Sequence, residues 1–267
     1  MTRPDLYVAD AGEGIPVVLL HGLTATHRYV VMGSRALERS SHRVIAYDAR
    51  GHGASAPAPD PQAYRYADLA ADLVRVLDER GIDRAVLAGA SMGGHTALKV
   101  ALEQPERVAG LVVITPAYEP ETYLGAGSLA RWDALSDGLR EGGVEGFVAA
   151  YGEPSADPAW RETLLTVLRQ RIGAHEHPGA VADALRAVPR SRPFDQIEQL
   201  AAVAVPTVVV ADRDEPDPGH PLAVGEAYAA TIPGARLLVE DPGSSPLAWQ
   251  GGRLSAIIAE LAAEALG

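Results

Sequence analysis

Short apolar runs alternate along this chain with segments in which apolar residues recur every three or four positions. Runs at 17–20, 43–47, 84–88, 108–114, 207–211 and 236–239 are too short for helices and are rich in Val, Ile and Leu, so each predicts a buried strand. Between them, residues 66–80 place Leu69, Leu73, Val76 and Leu77 on one helical stripe that stops at Gly81. Residues 28–40, 95–102 and 252–266 predict further helices. Strands alternating with helices predict an α/β protein, with a mostly parallel central sheet flanked by helices.

From 118 to 204 no convincing strand occurs, and helical segments near 129–140, 144–151, 159–172 and 180–188 are punctuated by Gly142-Gly143 and Glu153-Pro154. This predicts a helical cap at 118–204 inserted into a core made of 1–117 and 205–267. An independent second domain is the alternative, disfavoured because each helix is short and only partly amphipathic. A cap over the C-terminal strand ends supplies apolar walls for a pocket.

Composition narrows the chemistry. With no cysteine among 267 residues, disulfides, thiolate nucleophiles and cysteine metal sites are excluded. A net charge of −12 argues against a nucleic-acid partner. No run approaches the ~18–20 apolar residues of a membrane span, and Met1-Thr2-Arg3-Pro4-Asp5 lacks the build of a signal peptide, which predicts a cytoplasmic protein.

One stretch carries a specific chemistry. Gly89-Ala90-Ser91-Met92-Gly93-Gly94 lies between a predicted strand and a predicted helix, with a glycine two positions either side of Ser91. A strand reverses into a helix this tightly only where side chains are absent, and the central serine is then strained with its hydroxyl exposed. A serine hydroxyl needs a base to activate it, a group to orient that base, and amide donors for the oxyanion formed on attack. The Met92 amide, at a helix N-terminus, is one expected donor. The loop His21-Gly22-Leu23-Thr24 brings the second, Leu23 N–H, with His21 holding the loop.

These motifs resemble the α/β-hydrolase fold superfamily over essentially the whole chain. The string Asp48-Ala49-Arg50-Gly51-His52-Gly53-Ala54-Ser55 is similar to capped esterase-, lactonase- and haloperoxidase-like members, in which Asp48, Arg50 and His52 are expected to shape a loop. In the family's count of eight strands, His21-Gly22 follows the third, the elbow the fifth, and the cap separates the sixth from the seventh. The resemblance places the acid after the seventh strand, where Asp212-Arg213-Asp214 follows 207–211; Asp214 is the expected acid and Asp212 the fallback. It places the base after the eighth strand in a Gly-His sequence. Here Gly243 is followed by Ser244, and no histidine occurs after His220. His95, predicted to face away from the pocket, and His220, His175 and His177 are the substitutes to consider; a serine hydroxyl is not basic near pH 7.

The sequence therefore implies a serine hydrolase of a small ester or lactone, working through an acyl-enzyme on Ser91, and severely impaired because Ser244 replaces the base by engineered or natural change. The alternative is a non-hydrolytic relative that keeps the pocket to bind a ligand. Ser91 excludes the carboxylate-nucleophile members, epoxide hydrolases and haloalkane dehalogenases. No metal-spaced histidine cluster or dinucleotide fingerprint is present, so no cofactor or metal is expected. Small molecules are the expected partners, with neither nucleic acid nor membrane.

Overall fold

The computed structural model describes residues 3–121, 125–156, 158–213, 219–241 and 249–266. Seven strands form one sheet: β1 (Val8–Ala11), β2 (Ile15–Leu20), β3 (His42–Tyr47), β4 (Ala85–Ala90), β5 (Val108–Ile114), β6 (Thr207–Ala211) and β7 (Arg236–Val239). Their order is β1-β3-β2-β4-β5-β6-β7. Only β1 runs antiparallel, Val8 opposite Tyr47; the other pairs are parallel, as the apolar runs predict. The strand that opens the family's count of eight has no counterpart among the described residues, where the first strand is Val8–Ala11, antiparallel to β3. The elbow thus follows β4 here.

Seven α-helices join the strands: α1 (Tyr66–Glu79), α2 (Met92–Glu103), α3 (Ala126–Tyr151), α4 (Pro158–Gly173), α5 (Pro178–Ala187), α6 (Leu222–Thr231) and α7 (Gly251–Leu266). Residues from α1, α2 and α6 form a core with one sheet face, while α7 packs on the other with Val30, Val31 and Leu37. None of the described helices is long and apolar enough to cross a membrane.

The helix predicted at 28–40 does not form. Short 3-10 turns at His27–Tyr29 and Glu38–Ser40 replace it, separated by Met32 (φ 47°) and Gly33 (φ 72°). Two successive left-handed residues cannot continue a right-handed helix. Apolar Val30, Val31 and Leu37 still bury against α7 and the sheet, so the periodicity reported burial and not helix.

Between β5 and β6 the described residues contain α3, α4 and α5 but no strand. Gly143 (φ 59°) breaks α3 where the Gly142-Gly143 pair interrupts the pattern. These helices share a third core. Leu135, Leu139 and Phe147 of α3, Ile172 of α4 and Val181 and Leu185 of α5 pack with Leu23 and Met92, the two residues whose amides the sequence assigns to the oxyanion.

Candidate active site

The centre of the site is a backbone irregularity. Ser91 joins β4 to α2 at φ 48°, ψ −113°, a conformation non-glycine residues avoid at a cost of roughly 1–3 kcal/mol. Hydrogen bonds hold it there: Ser91 N–H donates to Ile114 O on β5 (2.8 Å), and Ser91 O accepts from His95 N–H in the first turn of α2 (3.0 Å). The flanking glycines are a packing requirement. A Cβ at Gly93 would lie 2.2 Å from Leu20 O, and one at Gly89 2.3 Å from Gly93 C. The elbow is wedged against the end of β2, with Ser91 directly past the C-terminal end of β4.

The loop after β2 passes beside it: a Cβ at Gly22 would stand 3.7 Å from Ser91 Cβ. Gly22 O accepts from His21 Nδ1–H (2.8 Å) and from Ala25 N–H (3.0 Å). The peptide is planar and trans, so fixing this carbonyl aims the Leu23 N–H of the same peptide unit the opposite way. His21 Nε2 accepts Ala49 N–H (2.9 Å), and His52 Nε2–H donates to Leu23 O (2.7 Å). Two imidazoles thus tie the loop to the segment after β3. Among the described residues neither Leu23 N–H nor Met92 N–H finds an acceptor.

The segment 48–55 has the loop-shaping part expected of it. Asp48 accepts from His27 N–H (2.8 Å), His27 Nδ1 (2.9 Å) and Ala54 N–H (3.1 Å). Burial pushes its pKa up, but the His27 and Ala54 bonds outweigh burial and leave it lowered. Arg50 pairs with buried Asp72 (2.7 Å) and donates to Ala63 O (2.7 Å).

The histidines fall into groups. Burial, the leading cause in each, pushes His21, His95 and His175 down to about 3 and lowers His52, so all four rings are neutral. His95 turns away from the elbow: Nε2 accepts the Ala117 and Tyr118 amides (3.2 and 3.3 Å), while Nδ1 meets Tyr66 Oη (3.1 Å). His175, just beyond α4, accepts Gly53 N–H at Nδ1 (2.9 Å) and packs edge-on against His52 with ring centroids 5.4 Å apart. Its lone pair is committed. His177 precedes α5; His220 precedes α6 and, after burial, contributes to the lowering of His95. Among the described residues no side chain hydrogen-bonds to Ser91 Oγ.

Asp212 lies just past β6. Asp214 and Ser244, the expected acid and the position expected to carry the base, lie outside the described residues.

The family model described as alpha/beta hydrolase fold matches residues 15–251, which contain the elbow, the loop after β2 and the ends of β6 and β7. The chain belongs to the α/β-hydrolase fold family. A Variovorax paradoxus protein named "Putative carbamate hydrolase RutD" is 33% identical over 209 residues, covering 78% of this chain and 77% of that protein. A protein of the same name from Azorhizobium caulinodans is 30% identical over 243 residues, covering 90% and 88%. Among solved structures, a thermophilic esterase from Thermogutta terrifontis superposes with a TM-score of 0.80 at 26% identity, covering 99% of this chain and 95% of that one. This α/β-hydrolase chain therefore has the ancestry of a hydrolytic enzyme.

What the motifs did not show is how the loop after β2 is braced. His52 reaching Leu23 O and His175 reaching Gly53 N–H span separations of 29 and 122 residues, and no local pattern announces either.

Proposed function

We propose that this α/β-hydrolase is a serine hydrolase of small carboxylic esters or lactones, with Ser91 as nucleophile and the Leu23 and Met92 amides as oxyanion donors. The observation that carries the reading is the strained, doubly anchored Ser91 beside Gly22, where an added Cβ would stand 3.7 Å from Ser91 Cβ. Ser91 Oγ attacks the acyl carbon, the carbonyl π electrons move onto the oxyanion, and the alcohol leaves as the acyl-enzyme forms. Water then attacks the acyl carbon, and the carboxylic acid departs as Oγ regains its proton. Residues 118–204 act as the cap over a core of 1–117 and 205–267, and the shared packing of α3–α5 with Leu23 and Met92 supports this.

Both transfers need a proton acceptor. Asp214 orients that acceptor in the proposed triad, but position 244, where the family carries histidine, is serine. Loss of the base from such a triad costs on the order of 10⁴–10⁶ in turnover, leaving catalysis by binding and the oxyanion donors. Deacylation suffers with acylation, so an acyl-enzyme once formed persists. Mixing the protein with excess p-nitrophenyl acetate and weighing it intact should show one stable acetyl adduct, absent in Ser91→Ala, and added imidazole should hasten its release. An unmodified protein would contradict the reading and favour the ligand-binding relative.

A further inference from the structure

Three successive carbonyls of the loop after β2 each face an imidazole. Gly22 O accepts from His21 Nδ1–H (2.8 Å), Leu23 O accepts from His52 Nε2–H (2.7 Å), and Thr24 O meets His175 Nε2 at a longer 3.4 Å. His21 and His52 follow the core strands β2 and β3. His175 comes instead from the junction of α4 and α5, 151 residues from Thr24. The rings form a row, with centroids 5.2 Å apart from His21 to His52 and 5.4 Å from His52 to His175. All three are buried.

The α4–α5 junction grips the core at further points. Gly53 N–H donates to His175 Nδ1 (2.9 Å) and Glu176 N–H donates to Gly53 O (2.9 Å), so Gly53 is held by both its donor and its acceptor. One turn earlier, Arg171 Nη2–H donates to Thr24 Oγ1 (2.7 Å), and its guanidinium lies 5.8 Å from the centroid of the Tyr29 ring. A neutral imidazole has one donor and one acceptor, and His175 commits both to these two loops. Burying such rings carries a desolvation cost that apolar side chains would avoid. What the row secures is direction. With the carbonyls of Gly22 and Leu23 fixed, the peptides on both sides of Leu23 cannot turn, and Leu23 N–H has no acceptor among the described residues. A donor held still and unengaged is what a developing oxyanion requires.

We propose that His175 is a positioning residue through which the α4–α5 junction holds the Leu23 amide in place for the oxyanion. The inference rests on the serine-hydrolase reading above. His175 acts through Gly53 and His52 and touches no reacting atom. Without it the 48–55 loop and the His52 ring can shift, and Leu23 N–H loses its aim. The test is made where turnover has a base, in the full chain carrying Ser244→His, with p-nitrophenyl acetate. There His175→Ala should lower kcat roughly tenfold, because outright loss of an oxyanion donor costs about 10²–10³ and a misdirected donor loses part of that. KM should stay within about twofold, since the oxyanion charge develops only in the transition state. His175→Asn puts an amide Oδ1 where Nδ1 stood, keeps the acceptor for Gly53 N–H, and should restore most of kcat. Hydrogen exchange in the chain without Ser244→His supplies a readout free of turnover. The Gly53 amide should exchange faster in His175→Ala, and so should the Ala25 amide, which donates to Gly22 O (3.0 Å) within the loop itself. Both should remain protected in His175→Asn.

An unchanged kcat in His175→Ala, a rise in KM in place of the fall in kcat, or a His175→Asn protein as impaired as His175→Ala, overturns the proposal. A His175 that only stabilises the fold would lower the thermal midpoint and leave kcat of the folded protein unchanged. Should His175→Ala fail to fold, His175→Gln takes its place with the same expectation, because it fills the space but moves the acceptor away from Gly53. If Ser244→His itself stays inactive, the hydrolase reading fails separately and exchange alone decides on His175. Faster Ala25 exchange in His175→Ala, reversed in His175→Asn, then upholds its hold on the loop; an Ala25 amide as protected as in the parent overturns it.

Discussion

Ser91 is held in a conformation that its own side chain disfavours, and the residues around it explain why the elbow is so legible in sequence. Close approach of the backbones of β2, β4 and α2 leaves no room for a Cβ at Gly89 or Gly93, so the spacing of glycines to serine is a steric record of the turn. Gly93→Ala should destabilise the fold by roughly 1–3 kcal/mol or more, because the new methyl meets Leu20 O, which belongs to the buried strand β2 and cannot yield like a flexible side chain. Urea unfolding of the two proteins measures it, and an unchanged midpoint would contradict the close approach. Residue roles were less legible where partners are distant. The sequence separates His95 from the pocket by helix geometry alone, whereas the commitment of His175 to Gly53 becomes visible only once α4 is folded beside the segment after β3.

At the scale of elements, short Val- and Ile-rich runs located the central strands within a residue or two, since strands buried on both faces have little other composition available. The edge strand β1, Val8–Ala11, escaped because one polar residue in four and partial exposure leave it no apolar run. The stretch 28–40 failed in the other direction: its buried residues pack on α7 from turns, and burial periodicity does not distinguish a helix from a folded-back loop. Its left-handed Met32 carries no sequence signal. The loops between elements are pinned by buried histidines. His21, His95 and His175 sit near 3 in the folded protein against 6.5 for a free ring. The unfolded chain therefore takes up protons that the native state refuses, so stability is full above about pH 6.5 and is lost as pH falls toward 3. By pH 5 each ring removes at most about 2 kcal/mol. Urea midpoints should fall markedly between pH 7 and pH 5; equal midpoints would contradict burial of neutral rings.

For the whole molecule, the sheet with its two faces was readable from alternation of strand and helix, and the family from motifs at three strand ends. The nucleophile sits between β4 and α2, adjacent in sequence, whereas the loop beside it after β2 is held by residues as distant as His175, which is why the elbow was plain and its bracing was not. Sequence also exposed the one discord, a serine where the resemblance expects the base. The central claim is that the molecule holds a competent nucleophile deprived of its base. Hydrolysis of p-nitrophenyl acetate by Ser244→His, measured against the unaltered chain, tests it most directly. The account predicts a gain of at least ~10³-fold, abolished by adding Ser91→Ala; a folded Ser244→His protein no faster than its parent would contradict it.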